Sequence, residues 1–248
     1  MSNAWIRFSD SRDSSIRMFC FPYAGGGAQI FQPLGKMVPR GVDVFALELP
    51  GRGRRFRERL LGDMDSIVND AMKGILPLLG NDFIFFGHSL GGLIAFELVR
   101  KLRRKRFSLP RHLFVSGVVA PQIPNNEPPV CNLPHDAFIK KLKEMGGTPP
   151  DVFDNEELLE LMIPMLRSDF QVYETYKYVS EAPLECPITV FGGARDKIVK
   201  PKYIKEWSRQ TSILFSHHIL NSGHFFIHTH LSDILDVITR TITLERSW

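Results

Sequence analysis

Cysteine is scarce: the 248 residues hold three, Cys20, Cys131 and Cys186, an odd number with neither a CxxC pair nor Cys/His spacing for zinc. That predicts reduced thiols in a cytoplasmic protein and argues against a disulfide scaffold. Long apolar runs are missing as well. The longest stretch without a charge, Thr211 to Ser232, is interrupted by five histidines and Asn221, so it is no membrane span. Met1 to Arg7 have no apolar centre of the kind a signal peptide needs. Charge is nearly balanced, 31 Lys and Arg against 27 Asp and Glu, and a net +4 is too small to mark a nucleic-acid binder. There are no repeats and no low-complexity tracts. Gly25-Gly26-Gly27 lacks the G-x-G-x-x-G spacing and no P-loop lysine follows, which argues against a nucleotide cradle.

What is present is ordinary globular composition, 44% hydrophobic and 23% charged, in a chain long enough for one large domain or at most two small ones. Short apolar runs alternate with helical patterns. Strands are expected at Ile16 to Phe21, Val42 to Leu47, Phe83 to Phe86, His112 to Val119, Ile188 to Phe191 and Ile213 to Leu220. Helices are expected at Gln29 to Val38, Met64 to Leu79, Leu90 to Arg104, Lys202 to Gln210 and Phe225 to Leu244. This alternation predicts an α/β fold with a mainly parallel, doubly wound sheet. From Pro121 to Pro183 it stops: no strand is evident, and two helical stretches, Asp136 to Met145 and Asn155 past Ser168, lie among prolines. An insertion this long after a strand C-terminus suits a lid over a binding site, the alternative being a decorative helical subdomain.

The chemistry gathers at Gly87-His88-Ser89-Leu90-Gly91, a G-x-S-x-G placed between a buried strand and a helix. A serine hydroxyl is a weak nucleophile that must be held on a sharp turn beside a base, and the flanking glycines keep side chains out of that turn. The elbow predicts an acid and then a histidine in chain order. Asp196 follows the strand at Ile188, and His224 follows the next one. His224 would take the serine proton and Asp196 would fix the imidazole tautomer. His217 and His218 lie within a strand pattern, too early for this loop, while His228 and His230 come after it. His224 and His228 have helical metal-ligand spacing, but no third ligand accompanies them. His88 reads as a packing residue. The developing oxyanion needs two backbone donors: one from the residue after the nucleophile, Leu90, the other from the Pro22 to Gly26 loop.

Several motifs in order bring a family into view: Phe21-Pro22-Tyr23-Ala24-Gly25-Gly26, Glu48-Leu49-Pro50-Gly51-Arg52-Gly53, the elbow, Gly146-Gly147-Thr148-Pro149-Pro150, Phe191-Gly192-Gly193-Ala194-Arg195-Asp196 and Gly223-His224-Phe225-Phe226. In these, over essentially its whole length, the chain resembles the type II, editing thioesterases of nonribosomal peptide and polyketide synthesis, members of the α/β-hydrolase superfamily. The resemblance implies one α/β-hydrolase domain over residues 1–248 with its lid at about 121–183. It implies hydrolysis of acyl or aminoacyl thioesters on the phosphopantetheine arm of acyl or peptidyl carrier protein domains, with no cofactor and no metal. It makes Ser89, Asp196 and His224 the triad, and Ala24 and Leu90 the oxyanion donors. A medium-chain fatty acyl thioesterase or a general esterase would share the scaffold. Ser222 stands where many relatives have glycine.

Phe138, Leu142, Met162, Met165 and Phe170 are then expected to shape an acyl chamber, or else to pack the lid on the core. The basic run Arg100 to Arg106 reads as a solvated helix end. Arg52, Arg54, Arg55 and Arg57 are better placed for an acidic partner or a phosphate.

Overall fold

Seven strands in the order β1-β3-β2-β4-β5-β6-β7 make one sheet in this computed structural model, which describes residues 4–9, 15–80 and 82–244. The strands are β1 (Trp5–Arg7), β2 (Ile16–Phe21), β3 (Val42–Leu47), β4 (Asp82–His88), β5 (His112–Ser116), β6 (Ile188–Gly193) and β7 (Phe215–Leu220). All pairings are parallel except that of β1 with β3, where Trp5 faces Leu47. At three residues β1 is too short to announce itself by alternation, and Met1 to Asn3 of the N-terminal reading lie outside the described residues.

The central strands read as continuous apolar runs because both faces are covered. Phe19, Phe83 and Phe85 point to the side of α2 (Met64–Ile75) and α3 (Leu90–Arg104), whereas Met18, Ile84 and Phe86 point to the side of α1 (Gln32–Met37) and α7 (Leu231–Leu244). Phe19, Phe85, Phe86 and Phe114 are wholly buried. Each gains roughly 1.5–3 kcal/mol by leaving water, so the sheet centre is the hardest part to disrupt.

Where bounds differ from those expected, prolines and turns account for most of it. The helix expected from Gln29 divides into a 3-10 turn, Ala28–Phe31, and α1, because Pro33 has no N–H to continue the ladder. Pro77 likewise ends α2 in a 3-10 turn, Leu76–Leu78. Gly117, with φ at +61°, stops β5 at Ser116. Pro201–Gln210 is a 3-10 helix, and the exposed Ile213 and Leu214 precede β7. The terminal helix begins at Leu231, not Phe225; residues 225–230 form tight turns in which His228 N–H donates to Phe225 O and Thr229 N–H to Phe226 O.

Between β5 and β6 lie helices only: α4 (His135–Met145), α5 (Pro150–Phe153) and α6 (Glu156–Thr175). Asn155 caps α6, accepting from Leu158 N–H at 3.0 Å. The insertion has its own core of Phe138, Leu142, Leu159, Ile163, Met165 and Leu166. The C-terminal half of α6 leaves it and joins the main core through Val172.

Candidate active site

Every expected site residue sits at the C-terminal edge of the parallel sheet, where sheets of this kind collect ligands at the point at which strand order reverses. Here β2 and β4 are neighbours, with Phe21 opposite Gly87, so the loop after β2 lies against the turn after β4. That turn holds Ser89 at φ +52°, a conformation an L-residue adopts only under constraint. The constraint is visible: a Cβ on Gly87 would meet Gly91 O at 2.3 Å, and one on Gly91 would meet Phe21 O at 2.1 Å. Ser89 N–H donates to Ser116 O at 2.7 Å, tying the turn to β5.

His224 Nε2 lies 3.2 Å from Ser89 Oγ, and His224 Nδ1 lies 2.8 Å from Asp196 Oδ2. The other carboxylate oxygen of Asp196 accepts from Ile198 N–H at 2.8 Å and Val199 N–H at 2.9 Å. Asp196 is thus fixed on both sides. Arg195 turns away and donates to Asn221 O. The arrangement can pass a proton from serine to imidazole and hold the resulting cation against a buried carboxylate.

Leu90 is the first residue of α3, a position whose N–H has no partner inside the helix. Ala24 precedes Gly25, whose φ of +81° and the Gly26 N–H to Tyr23 O bond of 2.9 Å define a tight turn. Ala24 N–H makes no hydrogen bond among the described residues. Both donors border the same chamber as Ser89 and His224.

That chamber measures about 720 Å³, and among the described residues no Asp, Glu, Lys or Arg lines it. Leu142, Met162 and Phe170 contribute to its wall as expected, together with Met145, Leu166 and Tyr173. Phe138 and Met165 do not: both are buried inside the core of the insertion, where the helical period turns them away from the cavity. His88 is fully buried beside His224, its Nδ1 2.8 Å from Ser116 Oγ, and burial pushes its pKa well below the usual histidine range. It stays neutral and makes no contact with the serine hydroxyl. His224 and His228 sit on turns, not on one helix face, and no metal-binding group of three ligands occurs among the described residues.

The arginines need correcting. Arg52 and Arg55 are buried and bonded within the protein, Arg52 to Asp169 and Arg55 to Glu58 and Asp70, so they are not free for a partner. Arg54 and Arg57 remain exposed. Nor is the end of α3 simply solvated: Arg100 is buried between Glu97 and Glu181, and Arg103 and Arg104 also bind Glu181. Two pairs at the site, Tyr23 with His228 and Arg52 with Asp169, each have one partner outside the motifs of the sequence. Tyr23 Oη lies 2.9 Å from His228 Nε2 on the chamber wall. Asp169 was detectable in principle, as the one carboxylate on the stripe Met162, Leu166, Asp169, Tyr173.

Similar proteins agree on this architecture. The thioesterase-domain family profile matches residues 16–242. Gramicidin S biosynthesis protein GrsT of Aneurinibacillus migulanus is 37% identical over 243 residues, covering 98% of this chain and 95% of its own length. Among solved structures, ClbQ from the colibactin nonribosomal peptide/polyketide pathway has a TM-score of 0.90 at 33% identity, over 95% of this chain and all of its own. The type II thioesterase BorB from the borrelidin cluster has 0.86 at 28% identity, over 97% of this chain and 96% of its own.

Proposed function

The chain belongs to the thioesterase family, an α/β-hydrolase that cleaves thioesters, and we propose that it clears acyl or aminoacyl groups from the phosphopantetheine arms of acyl or peptidyl carrier domains. Its relatives include the gramicidin S biosynthesis protein GrsT, ClbQ of the colibactin nonribosomal peptide/polyketide pathway and the type II thioesterase BorB, and editing of misprimed or stalled synthases is the role that follows. The observation carrying this reading is the hydrogen-bonded series Ser89, His224, Asp196 opening into an apolar chamber roofed by α4 and α6.

In the reaction Ser89 Oγ attacks the thioester carbonyl while His224 Nε2 takes its proton. Asp196 keeps the imidazole proton on Nδ1 and stabilises the imidazolium. The carbonyl oxygen becomes an oxyanion between Ala24 N–H and Leu90 N–H. Collapse expels the pantetheine thiolate, a good leaving group, which takes the proton from His224. Water then enters and attacks the acyl carbonyl as His224 removes its proton; collapse breaks the bond to Ser89 Oγ, which takes that proton back from His224 as the free acid leaves. No step calls on a cofactor or a metal. The insertion at about 121–183 serves as a lid of the single domain, and Met162, Leu166 and Phe170 give the chamber an apolar wall.

The setting that follows is cytoplasmic, in keeping with three free, buried cysteines; no helix among the described residues is long and apolar enough to cross a membrane. The test is to trap the intermediate. Mixed with an acyl-pantetheine thioester and quenched, the enzyme gains the acyl mass on the peptide containing Ser89, while Ser89→Ala gains none and turns nothing over. Full turnover by Ser89→Ala overturns the reading.

A further inference from the structure

Ala24 N–H can serve as an oxyanion donor only if its loop is held, and the loop is held by a residue of the lid. Gly25 N–H donates to Asp169 Oδ2 at 2.7 Å, and Asp169 belongs to α6. The same carboxylate takes a bidentate contact from Arg52, with 2.7 Å to each oxygen, while Arg52 Nη1 also donates to Gly26 O at 2.9 Å. Both side chains are out of water, at 8% and 3% exposure. The next turn of loop is held from the other side, where Glu48 Oε1 accepts from Ala28 N–H at 3.1 Å. Leu166, one turn before Asp169, lies so close to Gly25 that a Cβ there would meet its Cδ2 at 2.5 Å.

We infer that Asp169 and Arg52 are positioning residues that assemble the oxyanion site when α6 docks, so that the lid carries part of the catalytic geometry as well as the chamber wall. A structural ion pair does not need to spend two of its hydrogen bonds on the backbone of one turn. This one does, on the N–H of the residue after Ala24 and on the carbonyl of the residue after that. The loop's own anchors are few: Tyr23 Oη meets His228 Nε2, and Tyr23 O, in the same peptide as the Ala24 N–H, accepts from Gly26 N–H, while Gly25 and Gly26 have no side chains to fix the turn. Release of Asp169 frees Gly25 N–H and, with Arg52 withdrawn from Gly26 O, loosens the turn whose Gly26 N–H to Tyr23 O bond orients the Ala24 N–H. The inference rests on the proposed function, in which Ala24 is an oxyanion donor, and the Ser89→Ala control separates failure of the one from failure of the other.

The test compares wild type, Arg52→Lys, Asp169→Asn and the pair Arg52→Gln with Asp169→Asn on an acyl-pantetheine thioester, with Ser89→Ala as control. Lysine keeps the charge but cannot hold both carboxylate oxygens and Gly26 O at once. The double variant leaves no charge buried alone, so it tests the role even where Asp169→Asn fails to fold. Three quantities are read: kcat, KM, and the affinity of an alkyl boronic acid, which adds to Ser89 as a tetrahedral anion. We expect kcat to fall roughly ten- to hundred-fold with KM within about three-fold, and boronate affinity to fall in parallel with kcat. A folded variant with unchanged kcat, or a rise in KM with unchanged boronate affinity, overturns the inference. An active Ser89→Ala instead overturns the proposed function on which it rests.

Discussion

Gly91 lies against the carbonyl of Phe21, at a distance that leaves 2.1 Å for any Cβ, so α3, which follows the Ser89 turn, and β2, which leads to the Pro22–Gly26 loop, touch backbone to backbone. No side chain mediates this contact, and none can be inserted without parting β2 from α3.

Gly91→Ala and Gly87→Ala are therefore expected to destabilise the protein by about 1–3 kcal/mol or more, because the clash is with backbone and not with a flexible side-chain end. Gly223→Ala is the control: nothing lies within 4 Å of its Cβ position, and its stability should stay within about 0.5 kcal/mol of wild type. Urea denaturation of the three variants checks the contrast, and equal losses would contradict it.

Asp196→Asn is expected to fold normally, since Ile198 and Val199 N–H can still bond the amide oxygen. Its amide NH2 would face His224 Nδ1 and force the imidazole proton onto Nε2, where it blocks acceptance from Ser89. The kcat should fall on the order of 10³–10⁴-fold with an unaltered melting temperature. A loss of only a few-fold would remove Asp196 from the triad.

Stability should fall as pH drops below neutrality. His88 is held neutral by burial, with its pKa well below the histidine reference of 6.5, and His228 is shifted the same way. The unfolded chain binds those protons first, so stability present above pH 6.5 is lost as pH falls towards the folded values. The slope is at most about 1.4 kcal/mol per pH unit for each histidine. Thermal midpoints measured from pH 7.5 to 5 should show this decline for wild type and a shallower one for His88→Gln. Parallel curves would contradict the assignment.

The chamber wall should set acyl length. Phe170→Ala enlarges the cavity and should shift preference towards longer chains, while Met162→Trp fills it and should shift preference towards shorter ones. Each added methylene that finds apolar contact is worth about 0.8 kcal/mol, or roughly four-fold in kcat/KM. A series from acetyl to octanoyl pantetheine reads the shift directly, and an unchanged profile in both variants would mean that the acyl group binds elsewhere.

Much of this was legible in the sequence because the local signals agree with one another. Phe83 to Phe86 reads as a strand since both faces are buried, and Gly87 and Gly91 read as an elbow since backbone fills the space beside each. Ser89, Asp196 and His224 come together because each follows a parallel strand at the same edge. What stayed hidden depends on contacts distant in the chain. Arg52 reads as a cation for an acidic partner or a phosphate, because the carboxylate that engages it lies 117 residues on. Phe138 and Phe170 look alike in sequence, yet only packing decides that the first fills the insertion and the second faces the cavity. The 3-10 ends of helices follow from single prolines, whose effect on a boundary is local and easily overlooked beside a strong apolar period.

The most direct test of the central claim is a comparison of the same short acyl group on a phosphopantetheinylated carrier domain and on a free small thiol, with Ser89→Ala alongside. The account predicts much faster release from the carrier and no release by Ser89→Ala. Equal rates on both thioesters would contradict it, leaving a general thioesterase with no carrier partner.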